Sequence, residues 1–358
     1  MAKFIADQNK VLGIFESGAY ANAYQSGAGL TGSGFWLGQV TDHSITDAEG
    51  LIETRYLGTA TRSFDTFDQG PNDVTGTLTF HPEDMRLPFW AIGSVVEVSG
   101  ATAHASGGTC THSVNEVNSD VCQNVFVSGT GQDMNVPMCF TIEDSKQAPG
   151  TNRNFIRTVA GACLNTVTIS ASMGEKVSVD VDYIGQSLTY TSGTTTSITD
   201  SGLTPYMWHD CSLTLAGSSM DTLKDFSLAI ANNLEPSHYI GSSAAGRFSG
   251  RTIAPPVALK RDHTLSLTMD LPSDDASWLY NEKYKGGVTF NASLDMNADV
   301  IAVGSKHTNL VMSGCQIINM DAPSTAEGVN ETTIEIRPQN VAGSSWDRID
   351  HYNPWIPA

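Results

Sequence analysis

Few groupings in this chain have the residue types and spacing that chemistry requires. His104, Cys110, His112 and Cys122 carry metal-ligand side chains. Their spacing fits no zinc pattern, and the Gly/Ser-rich segment that holds them reads as a loop. Asp295-Met-Asn-Ala-Asp299 opens like a calcium loop. Val300 stands where the sharp-turn glycine is needed, and no glutamate follows at the twelfth position. Asp180 and Asp182 form a carboxylate pair of the general acid/base kind, but no histidine lies near them in sequence. The chain has no nucleophile elbow, no HExxH and no phosphate loop. The expectation is a protein that is not an enzyme and takes no cofactor or metal. Six cysteines are spread without any CxxC. Cys163 and Cys315 read as core residues, and a Cys110–Cys122 disulfide is left open. Asn291-Ala-Ser293 and Asn330-Glu-Thr332 match the glycosylation sequon, but no secretion signal is read at Met1-Ala-Lys-Phe4.

The elements that carry these residues are strands. Val74-Thr-Gly-Thr-Leu-Thr-Phe80, Val177-Ser-Val-Asp-Val-Asp-Tyr183, Leu265-Ser-Leu-Thr-Met269, Phe290-Asn-Ala-Ser-Leu-Asp-Met296 and Thr333-Ile-Glu-Ile-Arg337 all alternate apolar and polar residues. A period of two gives each strand one buried and one wet face. On that reading Asp180 and Asp182 share a wet face, as do Asp295 and Asp299. Turns such as Gly70-Pro71-Asn72 and Gly286-Gly287 separate the strands. Two helices are expected. Residues 272–286 have Ser273 as N-cap, Asp274 and Asp275 in the first turn, Lys283 and Lys285 in the last, and Gly286 beyond it. Residues 81–93 form a weaker helix that Pro88 is expected to interrupt.

The order of features repeats. Arg55-Tyr-Leu-Gly58 and His238-Tyr-Ile-Gly241 each precede a polar loop, an alternating strand and a helix with a tryptophan, Trp90 or Trp278. Val159-Ala-Gly-Ala-Cys-Leu164 and Val311-Met-Ser-Gly-Cys-Gln316 follow, and after each come a strand, a Gly/Glu turn and a second alternating strand. This predicts a mainly β chain with two tandem units, residues 35–200 and 201–340. An insertion falls at about 96–149 in the first unit, with arms at 1–34 and 341–358. Superposition should bring together Tyr56 with Tyr239, Trp90 with Trp278 and Cys163 with Cys315.

The charge balance excludes one class of partner. With 38 acidic and 19 basic residues the chain carries −19, and charged residues make up only 16%. Gripping phosphate takes Lys and Arg, so tight binding to nucleic acid or to an anionic membrane is not expected. The basic residues that exist are uneven. Arg247, Arg251, Lys260 and Arg261 fall in the loop of residues 242–262, whereas the matching loop of residues 59–73 carries Asp65, Asp68 and Asp73 against Arg62.

Phe226-Ser-Leu-Ala-Ile-Ala-Asn-Asn-Leu-Glu235, Tyr239-Ile-Gly241, and Leu265-Ser-Leu-Thr-Met269 running into an acidic-capped helix resemble the tail tube proteins of tailed bacterial and archaeal viruses. Leu164-Asn-Thr-Val-Thr-Ile-Ser170, Gly174-Glu175, Val179-Asp-Val-Asp-Tyr-Ile-Gly185 and Gly18-Ala-Tyr-Ala-Asn-Ala-Tyr24 are similar to the same family. The resemblance covers roughly residues 35–340. It implies a β-sandwich or small barrel with a flanking helix, repeated in each unit. It also implies assembly into stacked rings forming a hollow tube in the virion tail, through which DNA passes into the host. Two units per chain depart from the one-domain pattern, so three chains would supply six positions. The other expected partners are tape measure, terminator and baseplate proteins, with no membrane. The lumen candidates are Asp180, Asp182, Asp295 and Asp299. The inter-ring candidates are Arg247, Arg251, Lys260 and Arg261 with Asp65, Asp68 and Asp73. Two other readings stay open. One is a baseplate-hub or decoration protein; the other is a β-sandwich carbohydrate-binding module with Trp36, Trp90, Trp208, Trp278, Trp346 and Trp355 as platforms.

Overall fold

The computed structural model describes residues 9–15, 34–54, 66–98, 109–116, 139–147, 154–192, 204–238, 251–253, 256–270, 278–300, 304–321 and 331–348. The first half contains β1 (Asn9–Phe15), β2 (Gly34–Phe35), β3 (Gln39–Thr54), β4 (Thr66–His81), α1 (Arg86–Ile92), β5 (Gly93–Val98), β6 (Thr109–Glu116), β7 (Cys139–Gln147), β8 (Asn154–Ser172), β9 (Ser178–Gly185) and β10 (Ser187–Thr191). The second contains β11 (Cys211–Leu215), β12 (Ser218–Ser219), β13 (Leu223–Ala231), β14 (Leu234–Glu235), β15 (Val257–Ala258), β16 (Asp262–Asp270), a π-helix (Trp278–Lys285), β17 (Phe290–Val300), β18 (Gly304–Asp321), β19 (Glu331–Arg337) and β20 (Asn340–Arg348). The class is mainly β, and among the described residues eighteen strands form one connected antiparallel sheet beside the β14–β15 pair.

Alternation places the core as expected. On β9, Val179, Val181 and Tyr183 are buried while Asp180 and Asp182 are exposed. On β16, Leu265, Leu267 and Met269 are buried between polar residues. These faces join one apolar cluster that runs through both halves of the chain. Pro88 does not interrupt α1. It is the third helical residue, in the first turn, where a backbone N–H has no intrahelical acceptor to lose. The helix is buried throughout, with the Trp90 ring edge-on to Phe35 at 5.3 Å. The later helix is π-type and buries only Leu279, with Trp278 half-buried. The stretches read as arms hold strands of the sheet: β1 pairs with β2 and β7, and β20 with β18 and β6. Of the stretch read as an insertion at about 96–149, β6 and the end of β5 belong to a hairpin that extends the sheet of the second half through β20, whereas β7 pairs with β1 and β8 in the way that β17 pairs with β11 and β18.

One pairing scheme occurs twice. β3-β4-β9-β8 lie side by side, and so do β13-β16-β19-β18. Both long strands change neighbours midway. β8 runs between β7 and β10 and then continues beside β9; β18 runs between β17 and β20 and then continues beside β19. The irregularities fall on matching rungs. β3 slips after Val40 and again between Glu49 and Leu51, while β13 slips after Leu223 and its hairpin again before Leu234. Ala160-Gly161 and Ser313-Gly314 form the bulges opposite β7 and β17, and Asn165 and Ile318 those opposite β9 and β19. Gly161 and Gly314 take φ of 68° and 62°, a conformation that favours glycine. This register puts Ala162, opposite Phe140, at the place of Cys315, opposite Phe290. Cys163 then matches Gln316, one residue away from the expected pairing, because the bulge glycine rather than the cysteine fixes the register. Tyr56 and Tyr239 lie outside the described residues.

Candidate functional site

The halves join edge to edge. Residues 166–172 of β8 pair with residues 225–231 of β13, from Thr166↔Ala231 to Ser172↔Asp225. The run β3-β4-β9-β8-β13-β16-β19-β18 is therefore continuous, with one face in the core and the other polar. Thr79, Asp180, Thr168, Ala229 and Thr264 lie abreast on the polar face, as do Thr77, Asp182, Thr166, Ala231 and Asp262. Farther along, Ser266 lies beside Glu335, and Thr268 and Asp321 flank Thr333. Period two on every strand, with Thr and Ser at the wet positions, builds this face.

Its electrostatics are acidic. Asp42, Asp182 and Asp321 are exposed, and Asp180 accepts a 2.6 Å hydrogen bond from the Thr79 hydroxyl. Lys224 is held between Asp270 at 2.8 Å and Glu331 at 2.7 Å, and these carboxylates keep its ammonium above the usual lysine range. Lys260, 2.9 Å from Asp262, holds that carboxyl below its usual range.

Asp180 and Asp182 thus share the face with Glu335 and Thr333, their counterparts in the second half. Asp295 does not. It lies on β17, which pairs with β11 and the first part of β18, and it accepts hydrogen bonds from Asn309, Ser293 (2.9 Å) and His307 (3.2 Å). Asp299 is on the same strand, opposite Ser305. Glu335 was missed as a site residue, although the alternation of Thr333-Ile-Glu-Ile-Arg337 carries its signal.

The described part of the stretch expected as an acidic loop is strand: β4 runs through Gly70-Pro71-Asn72 and pairs with β3 there across a bulge, so no turn forms, and its residues meet those of the basic stretch inside the chain. Arg251 donates to the Gly70 carbonyl (3.0 Å) and to Gln69 Oε1 (2.6 Å), and its own carbonyl accepts from Asn72 N–H (2.7 Å). His238 lies 2.9 Å from Asp73. Arg261 donates to the Ile92 carbonyl at 2.7 Å and approaches Glu116. Lys260 and Asp68 are exposed. Arg247 and Asp65 lie outside the described residues, as do His104 and Cys122.

Two polar clusters are buried within the fold. His43 Nε2 lies 2.9 Å from the Tyr183 hydroxyl, and its Nδ1 lies 3.9 Å from Asp144, which Arg157 grips. Burial, opposed by Asp144, pushes the His43 pKa down to about 4. Burial also raises the Tyr183 phenol. The places of His43, Asp144, Arg157 and Tyr183 are taken in the second half by the buried apolar residues Phe226, Leu294, Leu310 and Ile336. The other group is Glu116 on β6, which accepts from Val341 N–H and lies 3.2 Å from His263. Although burial opposes it, its carboxyl stays below the usual range because of His263, Val341 and Arg261.

A family model described as "Phage tail tube protein" matches residues 95–338. Among solved structures, the chain is similar to Hcp1 from Flavobacterium johnsoniae. The identity is 12%, 37% of this chain and 93% of that chain are covered, and the TM-score is 0.21. No curated protein matches.

Proposed function

The chain belongs to the phage tail tube protein family, and from that premise we propose that three copies close into a ring of six equivalent units. Rings stack into the tube of a virion tail, and DNA passes through the bore. The chain acts as a structural protein rather than an enzyme. The observation that carries this reading is the repeated pairing scheme, with its bulges on matching rungs. A duplicated chain offers two similar units per copy, and cyclic closure from such units needs heterologous interfaces of the kind that β8 and β13 make within the chain.

The polar face of the continuous sheet is the surface proposed to line the bore. Duplex DNA carries one negative charge per roughly 1.7 Å of axis. Hydroxyls and carboxylates predominate on this wall, and its Lys224 and Lys260 are already paired with Asp270, Glu331 and Asp262, so DNA phosphates are held weakly and the duplex slides. Asp180 and Asp182 lie on this wall, and Glu335 replaces Asp295 as their partner in the second half. The test is negative-stain electron microscopy of the concentrated purified protein, with the ring mass measured by light scattering. Stacked rings of three chains are expected. Rings of six chains, or no rings at any concentration, would refute the reading.

A further inference from the structure

The junction inside the chain specifies one between chains. In the chain, β13 supplies one edge and the C-terminal part of β8 the other. The pairing scheme gives β13 a counterpart in β3 and that part of β8 a counterpart in residues 316–321 of β18. Among the described residues, β3 pairs only with β4, and residues 316–321 only with β19. One chain thus carries an unmatched copy of each edge.

Exposure points to the same two places. Within the chain, Leu234 follows β13 and packs on Cys163 and Ile184 of the first half, leaving it 8% exposed. Its N–H donates to Asn165 Oδ1 at 2.9 Å, and the Asn165 carbonyl accepts from Asn232. The counterpart of Leu234 is Leu51, which is 61% exposed, and that of Asn165 is Ile318, which is 41% exposed. A side-chain hydrogen bond at the inner junction is replaced by two uncovered apolar residues at the outer edges. Such groups are stable when they meet each other.

We infer that β3 of one copy adds antiparallel to residues 319–321 of β18 in the next copy, closing the sheet around the ring. This rests on the ring reading above and names its contact. The inner register, Thr166↔Ala231 and Val167↔Ile230, transfers to Asn319 opposite Ala48 of the next copy and Met320 opposite Asp47 of the next copy. Asp47 stands where β13 has Ile230, so this ladder buries less apolar surface than the inner one, and Leu51 against Ile318 makes up the difference. The period of two makes the register strict, since a one-residue slip turns Met320 to the wet face.

The test is chemical cross-linking of the double variant Ala48→Cys with Asn319→Cys, using a short thiol–thiol linker. Both sites are exposed and outside the core. The monomer band should give way to bands of two and three chains, well above the background of the parent protein and of each single variant. Asp47→Cys with Asn319→Cys, one residue out of register, should stay near background. In parallel, Ile318→Asp should abolish rings in micrographs while keeping the parent circular dichroism and Tm. Rings of three chains without the cross-link, or an equal yield from the slipped pair, would overturn the edge pairing and leave the ring standing. Absence of both rings and cross-links would overturn both.

Discussion

His43 sits in a strand beside a buried carboxylate, and its neutral state is part of the fold. Its pKa is held at about 4, against 6.5 in an open chain, so the unfolded state takes up the proton first as pH falls. Stability is therefore complete above pH 6.5 and declines from there to about pH 4, by up to about 3 kcal/mol. His43→Phe, which copies Phe226 of the second half, should flatten that slope in chemical denaturation run at pH 7, 5.5 and 4.5. An unchanged slope would place the acid sensitivity elsewhere. This group was not legible in the sequence, because His43, Asp144, Arg157 and Tyr183 come from four strands and only the register brings them together. Asp180 and Asp182 were legible, since alternation alone fixes which face they take.

At the scale of elements, the bulges are the informative features. Gly161 and Gly314 hold a backbone conformation that other residues adopt at a cost of about 1–2 kcal/mol. A Cβ at Gly314 would also lie 2.5 Å from Gln339 Oε1, a flexible side chain that can give way. Gly161→Ala and Gly314→Ala should each lower stability by roughly 1–2 kcal/mol in urea titrations, and similar losses at both sites would fit their equivalent roles. A neutral effect at either would show that the bulge does not depend on glycine. Strand periodicity was readable throughout, from Val74 to Arg337. The Cys163–Cys315 match misled by one residue because a shared cysteine is a weaker constraint than a shared bulge. Pro88 misled for a similar reason: a proline is disruptive in a helix interior and harmless in a first turn. Deleting the β5–β6 hairpin, residues 93–116, removes Glu116 from beside His263 and exposes an edge of β20. The expected outcome is a drop in Tm and a new tendency to associate, read by light scattering.

At the scale of the whole molecule, the proposed acidic lining of the bore makes its own prediction. Lysines at Asp180, Asp182 and Glu335 together should leave ring assembly intact, because all three lie on the wet face, yet make the tube retain duplex DNA. Retention should fall steeply between 50 and 200 mM salt, by about 10-fold or more. Tubes of the triple variant that bind no more DNA than the parent would show that the face does not meet the cargo. Net charge and the scarcity of Lys and Arg already pointed this way in the sequence. The sharing of the face across β8 and β13 did not, because nothing local marks a strand as the meeting edge of two units.

That meeting edge has a consequence for how a ring comes apart. In the proposed ring of three chains, every second seam is closed by the polypeptide itself. Its two edges belong to one chain, so their meeting does not depend on how far the protein is diluted. Dilution therefore acts on the three seams between chains and spares the three within them. The weakest fragment such a tube sheds is a whole chain carrying two units, and nucleating a new ring requires three bodies to meet instead of six.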